Sequence, residues 1–293
     1  MLPQNFLLRD FFHYLAGKLR GVFPEREIRE FAFLLAGEYL EPDRARLLLL
    51  MDKPVSGEIL ERMTEAADKL SDGCPIQYVI GKAWFAGMQL EVDSRVLIPR
   101  QETEELCQMA ARAANGWPSP GSLVDIGTGS GCIAVFLKRA LPGWSVTAAD
   151  VSTAALEVAA TNAARLAPGI GFLCRDVLDF GPEPWPGAPY NLLVSNPPYV
   201  TEEEKGEMAR HVTAFEPASA LFVPDADPLL FYRAIARFAL SGLAPSGKIY
   251  LEINERFGQA VCRLLQDHGY RDVSVSQDMH GRDRFVSAVQ PSR

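Results

Sequence analysis

The chain has 293 residues, 48% of them hydrophobic, with 37 acidic against 29 basic side chains and a net charge of −8. Two domains with a substantial core are expected, wholesale disorder is excluded, and the acidic balance counts against a protein whose main task is gripping a nucleic-acid backbone. No apolar run approaches the roughly 20 residues that cross a bilayer, and the N-terminus lacks a basic-then-apolar leader, so a soluble, cytoplasmic, monomeric protein is expected.

The N-terminal part reads as helical. Phe6-Leu7, Phe11, Tyr14-Leu15 and Leu19 recur at helical spacing. Pro24 stands at the next helix start with Glu25 and Glu27 behind it, where acidic residues complement the positive helix end. Pro42-Asp43 opens a short helix over Arg44–Met51, and Ser56 caps another that starts with Glu58 and stops before Asp72-Gly73. None of these helices carries acid-base chemistry. A small helical bundle over 1–82, suited to recognition or support, is the reading.

A linker over 83–98 has β character, with Trp84-Phe85 and then Met88, Leu90 and Val92 in alternation. Val96-Leu97-Ile98-Pro99-Arg100 leads to a helix whose first turn holds Thr103-Glu104-Glu105. Strands and helices then alternate over 99–293. Strands are expected at Leu123–Ile126, Ser145–Asp150, Ile170–Cys174, Leu192–Ser195, Lys248–Ile253, Val273–Ser276 and Phe285–Val289. Helices are expected at Cys132–Ala140, Ala154–Leu166, Pro228–Leu240 and Phe257–Asp267. Such alternation implies an α/β fold, a mostly parallel seven-stranded sheet covered on both faces. No helix separates the last two strands, so they should pair antiparallel. The run Gly181–Gly187 reads as a plain surface connector. Cys74, Cys107, Cys132, Cys174 and Cys262 are scattered and never paired as CxxC, which argues against a disulfide framework or a zinc site and makes them small buried hydrophobes. His13, His211, His268 and His280 show no ligand spacing, and no metal is expected.

Two segments carry chemistry. Asp125-Ile126-Gly127-Thr128-Gly129-Ser130-Gly131 follows an apolar strand and opens a helix. Glycines there permit positive φ and let a ligand approach bare backbone. Their spacing is GxGxG rather than the GxGxxG of dinucleotide enzymes. After an acidic residue, it resembles motif I of S-adenosylmethionine-dependent methyltransferases. Asp150 ends the next strand about 20 residues on, where a carboxylate can accept from both ribose hydroxyls; alone, it could equally be an Asp that starts a loop. The third strand ends in Asp176-Val177, which the same resemblance sets beside the adenine, Asp176 near its amino group and Val177 on its ring.

The second segment, Asn196-Pro197-Pro198-Tyr199, closes the fourth strand at the carboxyl edge, where open α/β sheets bind ligands. Two prolines stiffen the chain and leave carbonyls free to accept, Asn adds an acceptor oxygen, and Tyr adds a flat π face. That set suits a planar –NH2 group whose lone pair is delocalised. Hydrogen bonds to Asn196 Oδ1 and the Pro197 carbonyl would orient the nitrogen and offset developing positive charge, with Tyr199 stacked on the plane.

Asn196-Pro197-Pro198-Tyr199 resembles motif IV of amino-group methyltransferases, which act on DNA and RNA bases and on protein glutamine, and the motif alone does not choose between them. Pro75–Gly81, Trp84-Phe85-Ala86-Gly87, Leu97–Glu104, Phe215-Glu216-Pro217 and Gly281–Phe285 resemble the HemK/PrmC family over nearly the whole chain. The resemblance implies a Rossmann-like class I methyltransferase sheet behind an N-terminal helical substrate-recognition domain. It also implies S-adenosylmethionine as cofactor and the glutamine of the GGQ motif of peptide chain release factors as substrate. Glutamine methylation of a ribosomal protein and N-methylation of a nucleic-acid base stand as alternatives. Gly127, Thr128, Gly129, Ser130, Gly131, Asp150, Asp176, Val177 and Asn196 would then hold the cofactor, and Arg100, Glu102, Thr103 and Glu216 would lie toward the substrate. For Thr103, a plain helix start is the alternative. Gln101 stands where the family often has Pro, and Val177 where it often has an aromatic residue.

Overall fold

The computed structural model describes residues 5–115, 117, 120–181 and 183–291. They divide into two compact units, Met1–Gly81 with Ala209–Phe215, and Lys82–Met208 with Glu216–Arg293. The first is helical: α1 (Leu8–Leu19), α2 (Glu25–Tyr39), α3 (Arg44–Leu49), α4 (Gly57–Ser71) and α5 (Ile76–Ile80). Leu8, Phe11, Leu15 and Leu19 bury one stripe of α1, and Leu60, Met63, Ala67 and Leu70 one stripe of α4. Each such large side chain withdrawn from water stabilises the unit by about 1.5–3 kcal/mol before entropy is counted. Asp43 Oδ1 caps α3 by accepting from the amides of Ala45 and Arg46 at 2.8 and 3.0 Å. Ser56 holds the N-cap position of α4, but its hydroxyl makes no capping bond.

The second unit begins with the antiparallel hairpin β1 (Lys82–Phe85) and β2 (Met88–Glu91), then α6 (Gln101–Ala114). Next come β3 (Ser122–Ile126), α7 (Cys132–Ala140), β4 (Ser145–Asp150), α8 (Thr153–Leu166), β5 (Ile170–Cys174) and β6 (Tyr190–Ser195). The two-residue strand β7 (Val200–Thr201) pairs with β8 (Phe222–Val223) across α9 (Arg210–Phe215), the helix assigned to the first unit. The chain closes with α10 (Leu230–Gly242), β9 (Leu243–Glu252), α11 (Gly258–Asp267), β10 (Arg271–Gln277) and β11 (Asp283–Val289).

Seven strands form one sheet in the order β10-β11-β9-β6-β3-β4-β5. The five from β9 to β5 run parallel, and β11 turns antiparallel against β9 with β10 antiparallel beside it. Alternation along the strands sends Val124, Ile126 and Leu193 to a core with Tyr232, Ile235 and Leu265. Leu123, Leu192 and Val194 go to the opposite core with Leu106, Ala110 and Leu137.

Two sequence expectations are corrected. Gly181–Gly187 is not a plain connector, because Trp185 is buried and donates to the Phe180 carbonyl at 3.3 Å while its ring lies 4.3 Å from that of Phe238. Pro182 of that run lies outside the described residues. Of the five cysteines, Cys107, Cys132 and Cys262 are buried as small hydrophobes, but Cys174 is exposed, since β5 is an edge strand.

Candidate active site

Register brings the distant motifs to one level. Ile126 pairs with Ser195 on one side and with Ala149 on the other, so Gly127 just past β3, Asp150 at the last position of β4 and Asn196 just past β6 stand level. Chain order also reverses direction at β3, with β4 and β5 to one side and β6 and β9 to the other. Such a switch point opens a crevice at the carboxyl edge. A cleft of about 510 Å³ lies there, within the range of small-molecule sites. Its walls include Gly127, Gly129, Asp150, Asp176, Val177 and Asn196.

Gly127, Gly129 and Gly131 all take positive φ, at 74°, 53° and 81°. A Cβ on Gly129 would meet nothing within 4 Å, so the space above that glycine is left for a ligand. On Gly131 a Cβ would sit 3.1 Å from the Ala159 Cβ, so this glycine serves the packing of the turn on α8. Behind the turn, Asp125 is fully buried. Its Oδ2 accepts from Thr128 Oγ1 at 2.6 Å and the Ala134 amide at 3.1 Å, while Oδ1 has no partner. Burial pushes the carboxyl up to about 7 against those two hydrogen bonds.

Asp150 accepts from the Gly129 amide with Oδ2 and from the Ser152 amide with Oδ1, each at 2.9 Å. A carboxylate has about four acceptor positions, so both oxygens can also take a ribose hydroxyl. Its burial raises the pKa above the ordinary carboxylate range, which the backbone amides partly offset. Asp176 caps a single 3-10 turn over Val177–Asp179 by accepting from the Leu178 amide at 2.8 Å. With buried Val177, exposed Leu178, Phe231 and Ile235 at the same wall, the cleft offers an apolar berth beside an acceptor, as a purine requires. A smaller cavity of about 40 Å³ is lined by Arg100, Thr103, Thr128, Ser130 and Asn196. The Ser130 hydroxyl is buried without a partner there. These residues fit a nucleoside that bears a short polar arm, as S-adenosylmethionine does.

At the reacting edge, Asn196 Nδ2 donates to Thr103 Oγ1 at 3.1 Å, which leaves Oδ1 of the same amide to accept from a ligand. Thr103 Oγ1 in turn donates to Glu252 Oε2 at 2.7 Å, and Tyr199 OH donates to Glu252 Oε1 at 3.1 Å. Burial pushes the Glu252 carboxyl up to about 7, against the two hydroxyls and the Arg284 guanidinium. Burial, with Glu252 beside it, likewise pushes the Tyr199 phenol up, so that hydroxyl stays protonated. Asn254 Nδ2 holds the Tyr199 carbonyl at 3.2 Å. Pro197 and Pro198 line the cleft with Asn196, whereas Tyr199 lines neither cavity.

Among the linker residues, Glu216 is buried and accepts from the Ile98 amide at 3.1 Å and from Arg100 Nη2 at 2.6 Å. It lines neither cavity and fastens the Ile98–Arg100 segment beside the small one. Glu102 lines neither cavity either. Sequence reading missed Glu252 and Asn254. The signal for Glu252 was a carboxylate directly behind the apolar run Ile249-Tyr250-Leu251 at the carboxyl end of a strand inside the sheet.

A family profile described as Methyltransferase small domain matches residues 101–222, and one described as PrmC N-terminal domain matches residues 12–81. A release factor glutamine methyltransferase of Bacteroides thetaiotaomicron is 40% identical over 94% of this chain and 97% of its own. Another of that name, from Chlorobaculum tepidum, is 40% identical over 91% of this chain and 93% of its own. The solved structure of a methyltransferase from Pyrococcus furiosus shares the fold with a TM-score of 0.50, at 14% identity over 80% of this chain and 100% of that one.

Proposed function

The chain belongs to the release factor glutamine methyltransferase family, and from that premise we infer that it methylates the side-chain nitrogen of the GGQ glutamine of a peptide chain release factor. The observation that carries the reading is the Asn196 amide. Thr103 engages its nitrogen, so its oxygen is the group left to accept, one strand away from the glycine turn.

S-adenosylmethionine supplies a methyl group made electrophilic by its sulfonium. This chain's residues prepare the acceptor. A glutamine side-chain nitrogen is a poor nucleophile because its lone pair is delocalised into the carbonyl. Asn196 Oδ1 and the Pro197 carbonyl each take one of its N–H bonds, which turns the nitrogen lone pair toward the methyl group and stabilises the charge that grows on nitrogen during transfer. No strong base is needed before attack, since the N–H proton becomes acidic only as the new bond forms and then passes to solvent. Gly127, Thr128, Gly129, Ser130 and Gly131 give the cofactor its turn, Asp150 its ribose acceptor, and Asp176 and Val177 its adenine berth. Arg100 and Thr103 form the approach from the linker, Glu216 fastens the segment that carries Arg100, and Glu102 stands beside Thr103 in the first turn of α6. The helical unit that ends at Gly81 serves substrate recognition. A substrate drawn from the translation machinery places the work in the cytoplasm and requires no direct grip on nucleic acid, in keeping with the net charge of −8. No helix among the described residues is long and apolar enough to cross a membrane.

The test is transfer of tritium from S-adenosylmethionine to purified release factor, run beside a ribosomal-protein substrate and duplex DNA. Label on the release factor alone, lost when its GGQ glutamine becomes alanine, supports the reading. Label that prefers either competitor overturns it.

A further inference from the structure

Glu252 pairs with Phe285 on β11 and follows Leu251, the partner of Ser195 on β6, so it stands level with Asn196. It is 1% exposed, and hydroxyls from two separate elements donate to it, Thr103 on α6 and Tyr199 beyond β6. A hydroxyl has one proton to give. Because Thr103 gives its proton to Glu252, its oxygen can only accept from Asn196, and Nδ2 is the donor that meets it. If Glu252 presented a proton instead, Thr103 would accept that proton and donate its own to Asn196, drawing Oδ1 inward and leaving an NH2 to face the substrate. An NH2 cannot accept from a glutamine –NH2.

We propose that Glu252 is a positioning residue for methyl transfer: as a double acceptor it fixes the direction of the Thr103 hydroxyl, and through it the Asn196 amide, so that oxygen faces the substrate nitrogen. This rests on the reading of Asn196 given above and adds the device that orients it. The titratable and charged groups around Glu252 are Tyr199, Glu102 and Cys107 on α6, Cys132 on α7, Tyr232 on α10, and Arg284 on β11, itself paired with Asp278. Burial and Glu102 favour the proton on Glu252, and Arg284 and the two hydroxyls oppose it, giving a carboxyl that ionises at about 7. The relay is therefore set for acceptance above that pH and reversed below it.

The test uses the full chain with Glu252→Gln. An amide offers one acceptor and one NH2 where the carboxylate offers two acceptors, so both hydroxyls cannot keep their directions. The expected result is a kcat lower by about tenfold at pH 8. Affinity for S-adenosylhomocysteine should be unchanged; the wild type should lose kcat below pH 7, and that fall should be absent from the variant. The thermal midpoint at pH 8 should be no lower than that of the wild type, because a buried charge has been removed. A residue that only supports the fold would lower midpoint and kcat together and leave the pH limb in place. A Glu252→Gln enzyme with wild-type kcat and pH profile overturns the proposal.

A readout independent of turnover is the Asn196 side-chain amide resonance in ¹⁵N-asparagine-labelled protein, assigned by its loss in Asn196→Asp. It should move in Glu252→Gln, and an unmoved resonance overturns the proposal even if no substrate is methylated. If the Gln variant does not fold, Thr103→Ser should keep kcat where Thr103→Val loses it; equal rates overturn the proposal. Failure of the functional reading shows differently, as a wild type that labels no release factor.

Discussion

Replacing Asp125 by Asn tests whether the glycine turn is built around a buried carboxyl held near neutrality. Asp125 is fully buried, only one of its oxygens has partners, and its pKa stands at about 7 against 3.8 for an ordinary carboxyl. A folded-state pKa above the unfolded one means that the folded protein holds the proton more tightly. The stability this contributes is complete below the unfolded value and is lost as pH rises through the folded one. At about 1.4 kcal/mol per pKa unit the difference corresponds to about 4 kcal/mol in full, of which roughly 2 to 3 falls between pH 5 and 8. Asn cannot titrate, so its variant lacks this slope. Glu252, also raised to about 7, titrates in both proteins and cancels. Urea denaturation of wild type and variant at pH 5, 6, 7 and 8 reads the effect directly. The stability advantage of the wild type should shrink by about 2 to 3 kcal/mol from pH 5 to pH 8. A difference between the two proteins that does not change with pH would refute the reasoning.

Asn196→Ala removes the acceptor at the substrate nitrogen, and kcat should fall by about 10²–10³-fold with cofactor affinity kept, as single-turnover rates and calorimetry will show. An intact rate would remove Asn196 from the chemistry. Both glycines hold a positive φ that strains an alanine, but Gly131→Ala also puts a Cβ 3.1 Å from Ala159, whereas Gly129→Ala meets nothing within 4 Å. Thermal denaturation should therefore find Gly131→Ala the less stable, by about 1–3 kcal/mol, while Gly129→Ala loses mainly cofactor affinity. Equal melting temperatures would contradict this division of labour.

What sequence made legible was whatever is local. The glycine turn, Asp150 and Asn196 each sit at the end of a strand that its apolar run announces, and the mostly parallel sheet with an antiparallel last pair follows from strand-helix alternation and the missing helix before β11. Pairing register then had only to level those ends. What sequence hid depends on long-range partners. Thr103 read equally as a substrate-side residue or a plain helix start because its partner Glu252 is 149 positions away, and the carboxylate of Glu216 reaches Ile98 across 118. Trp185 sits in a stretch rich in Pro and Gly that reads as loop, and only the Phe238 ring shows that it is core. The exposure of Cys174 follows from β5 lying at the sheet edge, a fact of strand order rather than of composition.

The most direct measurement is fragmentation mass spectrometry of the GGQ-containing peptide of a release factor incubated with this enzyme and S-adenosylmethionine. One added methyl group, localised to the side-chain nitrogen of that glutamine and missing when Asn196 is replaced by Ala, is the expected result. An unmodified glutamine, or a methyl group on any other residue, would contradict the account.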